Sequence, residues 1–289
     1  MFFDKKYTIS DHNLKGNIKS VNEISYEAIN SFGTICKGVR KRDYYSDYTI
    51  LFNPEGKFIE ENTYKSDGKL LSKWIFLYNN DGKILEKIHY DNNGVFFGKW
   101  DYKYDEKGLK VEKDWSSVYA DQGKKIFSKY NEIGQTIEQK IFSFDGTLNL
   151  SIKLSYDSSG NRIEKNIFDS EGKFYQKFVF KYNDLNQIIE KYWKDNSGKI
   201  HEKENYVYDE KGNVVKKIIN SYKSSIFDFI YTYDNDNNLV EITWIEAVEY
   251  FVKKGQSKYK YDSTGNWIQR IDYKNNHIKF LIEREIEYY

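Results

Sequence analysis

Apolar and polar positions return in phase every 26 residues along most of this chain. Three residues after a turn glycine stands an aliphatic residue, in Ile59, Leu85, Val111, Ile137, Ile163, Ile189, Val215 and Ile268. The following residue is acidic in Glu60, Glu86, Glu112, Glu138, Glu164 and Glu190, then becomes Lys216 and Gln269. The one after that is mostly basic, in Lys87, Lys113, Lys165, Lys191, Lys217 and Arg270, with Glu61 and Gln139 as exceptions. Four residues before the glycine an aromatic is nearly constant: Phe52, Tyr78, Tyr104, Tyr130, Tyr156, Tyr182, Tyr208 and Tyr261. The glycines are Gly56, Gly82, Gly108, Gly134, Gly160, Gly212 and Gly265, with Asn186 in phase between Gly160 and Gly212. Alternation with a period of two predicts strands rather than helices.

A second series of turns twelve residues further on, at Gly68, Gly94, Gly146, Gly172 and Gly198, with Asn276 in phase, divides each repeat into two strands. An Asp or Asn opening the turn and a Gly three residues later predict a type I turn closed by a left-handed residue. Asn accepts that conformation less readily than Gly, but well enough for Asn186 to stand in the series. The expected fold is all-β: an antiparallel meander of about nine two-strand repeats, coiled or rolled into a curved sheet or barrel-like shell, because open sheets beyond about ten strands curl or split. Residues 1–43 fit the period poorly. Leu14 to Val21 reads as a turn entering a strand, and Ile24, Tyr26 and Ala28 continue an alternating face, so this segment is expected to be an N-terminal β cap. Residues 44–289 form the repeat array, with Ile278 to Tyr289 as its closing strand.

Neighbouring glutamate and lysine positions must point to opposite faces. Successive glutamates lie two strands apart, about 9.6 Å, where their repulsion in water is about 0.4 kcal/mol. Exposed rows are therefore tolerated, whereas buried carboxylates need partners or water.

The charge balance of 45 Lys and Arg against 44 Asp and Glu removes the basic excess that nucleic-acid binding draws on. No apolar run follows Met1, Phe2 and Phe3, so neither a secretory signal nor a membrane span is expected, and the expected location is the cytoplasm. Cys36 is the sole cysteine and reads as a small packed residue. His12, His89, His201 and His277 lack metal-ligand spacing, no cofactor motif is visible, and the turn aspartates read as loop caps rather than calcium ligands. His89 falls in a slot that Trp115, Ile141, Ile167 and Trp193 fill elsewhere, and is expected to pack within a strand. The pattern loosens over residues 222–255, where Asn237 and Asn238 replace a glycine and Glu246 to Tyr250 suits a bulge or a brief helical turn.

Trp74 and Trp100 are one period apart and Trp115 and Trp193 three periods apart, so each pair occupies one phase. These four are the candidate binding residues. An aromatic row of this kind either packs one side of the sheet or stacks a sugar or peptide. The paired carboxylates Glu60 and Glu61 arise from the repeat itself, and no catalytic constellation accompanies them.

Tyr102-Lys103-Tyr104-Asp105-Glu106-Lys107-Gly108, Tyr206-Val207-Tyr208-Asp209-Glu210-Lys211-Gly212-Asn213 and Tyr259-Lys260-Tyr261-Asp262-Ser263-Thr264-Gly265-Asn266 resemble the YD repeat of the RHS family. The resemblance covers most of residues 44–278. It implies β-hairpin strips of the kind that coil into shells around polymorphic toxins or form adhesive scaffolds. The family's proline- and aspartate-containing terminal motif has no counterpart here, where Pro54 is the sole proline, so no catalytic residue carries over. The expected function is a non-enzymatic repeat scaffold that binds another protein, such as a bacterial immunity or effector-associated protein. The alternatives are a carbohydrate-binding module using the aromatic row, and a hydrolase with its site in residues 222–255.

Overall fold

A computed structural model describes residues 7–40, 47–119, 122–221, 225–248 and 251–289. Its described residues form 21 strands and one 3-10 turn, Ile9–His12. The strands are β1 (Ile18–Ser31), β2 (Thr34–Arg40), β3 (Asp47–Phe52), β4 (Phe58–Tyr64), β5 (Leu70–Tyr78), β6 (Ile84–Tyr90), β7 (Phe96–Tyr104), β8 (Lys110–Ser117), β9 (Lys124–Tyr130) and β10 (Thr136–Ser143). They continue as β11 (Leu148–Tyr156), β12 (Arg162–Phe168), β13 (Phe174–Tyr182), β14 (Ile188–Asp195), β15 (Ile200–Tyr208), β16 (Val214–Ser221), β17 (Ser225–Tyr233), β18 (Leu239–Val248), β19 (Phe251–Tyr261), β20 (Trp267–Lys274) and β21 (His277–Tyr288). The predicted all-β antiparallel meander is thus observed. Strand β18 continues through Glu246 to Val248, where a bulge or helical turn was expected; Glu249 and Tyr250 of that stretch lie outside the described residues.

The turns that open on Asp or Asn and close on Gly three residues later are built as their composition predicts. In the copy at Asp209, the Gly212 amide donates to the Asp209 carbonyl and the Asp209 amide to the Asn213 carbonyl. The aspartate side chain accepts from the Asn213 amide at 2.8 Å, which explains why Asp or Asn opens the turn. Gly212 has φ +87°, and Asn186 and Asn237 hold the same left-handed position at +60° and +68°, so the turn survives in the loosened region. A register shift between Val207 and Tyr208 marks a bulge where β15 enters this turn. Asn276 differs from the glycines of its series. With Asn275 it makes a two-residue turn joining Lys274 to His277, both residues at positive φ, as a type I′ hairpin requires.

The chain divides into two compact units. The first comprises residues 1–98, 232–243 and 254–289, and the second residues 99–231 and 244–253. In the first unit β1 is flanked by β21 on one side and by β3 and then β2 on the other. Its ladder therefore runs β19, β20, β21, β1, β3, β4, β5, β6, and neither terminal strand is left with a bare edge. In the second unit consecutive strands pair from β8 to β17.

The recurrent tyrosine has a specific task. The β10–β11 ladder starts at Glu138 opposite Lys153, so β11 offers no backbone donor to the Thr136 carbonyl beyond it. The Tyr156 hydroxyl supplies one at 2.7 Å. The same bond joins Tyr78 to Phe58, Tyr130 to Lys110, Tyr182 to Arg162, Tyr208 to Ile188 and Tyr261 to Leu239. Tyr156→Phe is accordingly expected to lower stability by about 1–2 kcal/mol, the cost of leaving a partly buried carbonyl unpaired, read as a shift in the urea midpoint.

Register also settles the two faces. Pairings of Ile50 with Glu61, Glu61 with Trp74, Trp74 with His89 and Phe76 with Lys87 place these residues on one face of the first unit. In the second unit Lys113 opposite Ile126, Lys165 opposite Phe178 and Phe178 opposite Trp193 define the equivalent lysine face. This is the packed face. Its core in the first unit is Leu14, Ile18, Val21, Ile50, Phe52, Phe58 and Phe76, overlain by Tyr7 and Ile9; in the second it is Ile126, Ile141, Ile152 and Ile167. The glutamates face the other way and are not bare: Lys73 meets Glu60 at 2.7 Å, Lys103 meets Glu112 at 3.0 Å, and Glu190 holds Lys181 and Lys203 at 2.8 and 2.6 Å. Such half-exposed pairs contribute roughly 0.2–1 kcal/mol each.

On β1 the core-facing residues are Val21, opposite Ile50, and Glu23, opposite Tyr48. The alternating series Ile24, Tyr26 and Ala28 lies on the other face.

Candidate functional site

The four predicted tryptophans all lie on the lysine face of their strands, Trp74 in the first unit and the other three in the second. Trp74 stacks on His89 with ring centroids 4.2 Å apart and planes within 9°, and the Lys87 ammonium lies 4.0 Å from its centroid. His89 thus packs as expected. Trp100 and Trp115 are brought together at 5.4 Å, with Lys124 over Trp100 at 5.2 Å. Trp193 stacks on His201 at 4.2 Å and adjoins Phe178 at 6.4 Å. Rings engaged in this way stiffen the packed face and anchor the lysine ammoniums by cation–π attraction.

The face changes character where β1, β3, β4, β20 and β21 meet in the first unit. Here His12, Glu23, Tyr48, Ile50, Glu61, Thr63, Trp267, Arg270 and Arg284 line a cavity of about 370 Å³. The Glu23 carboxylate accepts from Arg284 Nε at 2.8 Å and from the Tyr48 hydroxyl at 2.8 Å, while Arg284 Nη2 donates to the Tyr48 oxygen at 2.8 Å. The guanidinium lies flat enough on Trp267 for Cζ to sit 3.5 Å from the ring centroid. Burial pushes the Tyr48 phenol above its ordinary value, Arg284 opposing and Glu23 adding to the effect. Asp272 Oδ1 lies 3.1 Å from Arg270 Nε. Burial works against the Arg270 charge, but Asp272, Tyr259 and Glu23 outweigh it and hold its pKa up.

A second charged cluster occupies the lysine face of the second unit. Glu204 takes the slot that holds Trp100, Ile126, Ile152 and Phe178 in earlier repeats. It is buried, bound by Lys191 at 2.8 Å and Lys217 at 2.7 Å, and accepts from the Tyr206 hydroxyl. Both clusters carried one sequence signal: charge at a position the repeat reserves for something else. Glu61 and Arg270 are the acidic and the arginine members of the lysine row, and Glu204 is acidic in an apolar column.

At the other extreme of exposure is the hairpin joining β1 to β2. Ser31 pairs with Thr34 across Phe32 and Gly33, at φ +50° and +86°. Phe32 is fully exposed, and Ile29 and Val39 nearby are also exposed.

No known protein family matches the chain, and no curated protein matches it. Among solved structures, a Tc holotoxin pore from Photorhabdus luminescens is 13% identical, with 81% of this chain and 16% of that one covered and a TM-score of 0.40. The TcdB2-TccC3 structure is 12% identical over 91% of this chain and 18% of that one, with a TM-score of 0.38. A porin-like protein from Bacteroides uniformis is 10% identical over 94% of this chain and 98% of that one, with a TM-score of 0.39. The chain spans less than a fifth of the length of either Tc structure.

Proposed function

We propose that this chain is a non-enzymatic repeat scaffold that binds another protein, and that the β1–β2 hairpin is part of the contact surface. The observation carrying this reading is Phe32. A bulky residue in the left-handed region costs roughly 1–2 kcal/mol. Asn or Gly would make this two-residue turn without that cost. Phe32 recovers none of it by packing, since its side chain is fully exposed. Strain retained at an exposed aromatic, with Ile29 and Val39 beside it, suits a residue whose burial happens on a partner, where aromatic anchors carry much of the binding energy. The engaged tryptophan rings make the protein partner the better-supported choice over a carbohydrate. A bacterial immunity or effector-associated role is consistent with such a scaffold.

Affinity capture from the native cell with the wild-type chain should recover one stoichiometric protein partner. Phe32→Ser should lose it while keeping the thermal midpoint. Recovery of no partner, or equal recovery by both chains, overturns the assignment.

A further inference from the structure

We propose that the cavity of the first unit binds a phosphate group that still carries a proton, held by the Arg270 and Arg284 guanidiniums and donating to Glu23 Oε1. This goes beyond the scaffold reading and does not depend on it.

Arg270, Arg284 and Glu23 stand on three consecutive strands of the packed face. Arg284 is directly opposite Glu23 across β21 and β1, and it lies two residues beyond Ile282, which is opposite Arg270 across β20 and β21. Diagonal neighbours of this kind are about 7–8 Å apart at the backbone, within reach of each other's long side chains. Both guanidiniums converge on one ring: the Trp267 centroid is 3.5 Å from Arg284 Cζ and 5.9 Å from Arg270 Cζ. The two guanidinium carbons are therefore no further apart than the sum of those distances. A phosphate bonded to both forks, at about 2.8 Å from each nitrogen to its oxygen, needs them roughly 8 Å apart, which that limit allows.

The donors and the acceptor are open. A guanidinium has five N–H donors in a planar fork. Arg284 uses two, Nε to Glu23 Oε2 and Nη2 to the Tyr48 oxygen, each at 2.8 Å, and the other three remain. Arg270 meets Asp272 Oδ1 with Nε at 3.1 Å and gives one further donor to Tyr259, so Nη hydrogens are left over. The Tyr48 hydroxyl also donates to Glu23 Oε2, and Oε1 has no partner among the described residues. All three residues line the cavity. A ligand seated here has to accept from two guanidiniums and donate to a carboxylate oxygen beside them.

A protonated phosphate meets both demands, because its bare oxygens accept and its P–OH donates. Sulfate has the same shape but no proton near neutral pH, so it meets Glu23 as a like charge and leaves Oε1 unfilled. A carboxylate ligand fails in the same way. Glu61, two strands beyond Glu23 on the ladder β1, β3, β4, and Asp272 behind Arg270 weaken every anion alike. The site is thus built for selectivity more than for strength. Its volume of about 370 Å³ is in the range of small-molecule sites, so the phosphate is either the free ion or the head of a small monoester.

Isothermal titration of the whole chain with inorganic phosphate, phenyl phosphate and sulfate tests the assignment near pH 6, where about half of a monoester keeps its proton. At least one of the two phosphates should give saturable heat at millimolar concentration or below, and the tighter of them identifies the free ion or the ester as the form taken. Sulfate should bind at least about tenfold more weakly than that ligand, as loss of one charged hydrogen bond implies. Arg270→Gln, which leaves the triangle of Glu23, Tyr48 and Arg284 in place, should weaken phosphate binding by a similar factor. The comparison with sulfate uses the wild-type chain alone, so it decides even where the variant does not fold. No saturable binding of either phosphate, sulfate binding as tightly, or a folded Arg270→Gln that binds like wild type each overturns it.

Discussion

Arg284→Ala should cost about 3–5 kcal/mol of stability, among the largest effects of any single substitution in this chain. The Arg284 side chain is 10% exposed and so is the Glu23 side chain it binds. Removing it strands a carboxylate on the packed face with only the Tyr48 hydroxyl as a donor, and it uncovers Trp267. Position adds to the effect, because Glu23 and Arg284 are directly opposed on β1 and β21. Their bond joins the first strand to the last. Urea denaturation followed by circular dichroism should show a lower midpoint. The double variant Glu23→Leu with Arg284→Met should recover much of the loss, since an apolar pair of similar volume avoids the unpaired charge. A single-variant loss below about 1 kcal/mol would show that water reaches Glu23, and would remove the triangle from the account.

Most of the fold was legible because the repeat is written redundantly. Eight copies of one spacing from an aromatic to a Gly or Asn, six of them Tyr to Gly, cannot arise from loop composition, and period-two alternation between turns admits only strands. The opposed charge rows followed from alternation alone. What could not be read was which face is packed. A bulge beside most of the turns, as between Ser155 and Tyr156, shifts register by one residue and inverts parity, so Tyr156 could have faced either row until the Glu138 and Lys153 pairing was known. The N-terminal segment was misleading for a related reason. Ile24, Tyr26 and Ala28 form the clearer apolar series, yet the core side of β1 carries Glu23, whose partner Arg284 lies 261 residues away. No local pattern links two charged residues at that distance. The junction is closed by further contacts of the same kind: Asn266 receives the Lys15 amide at 2.7 Å and donates to the Lys15 carbonyl at 2.8 Å. In sequence Asn266 is merely the residue after another turn glycine. The cavity residues were visible as exceptions in the lysine row, but an exception in a degenerate repeat also reads as drift, and only the geometry separates the two.

Glu204 gives the other large effect, and its pH dependence identifies the cause. Burial opposes the charged form of this carboxyl, but hydrogen bonds from Lys191, Lys217 and Tyr206 outweigh burial and hold its pKa below the usual carboxylate range. Its folded pKa is therefore depressed relative to the unfolded chain, near 4.3. The stabilisation is present in full above that unfolded value and is lost as pH falls through the lower folded one. At neutral pH, Glu204→Gln should destabilise by about 3 kcal/mol, because two lysines on the packed face lose their shared carboxylate. Glu204→Ile restores the residue type of the same slot at Ile126 and Ile152, yet it should be no better, since the apolar side chain leaves both ammoniums unpaired. The difference between wild type and Glu204→Gln should narrow as pH drops below about 4. The phenol of Tyr206 is pushed upward, mainly by burial and then by Glu204, so its neutral form is the favoured one and its contribution fades only as pH rises beyond about 10. Urea midpoints of wild type, Glu204→Gln and Glu204→Ile from pH 7 to pH 3 decide the matter. A gap that stays constant on acidification, or an isoleucine variant as stable as wild type, would mean that the slot senses shape rather than charge.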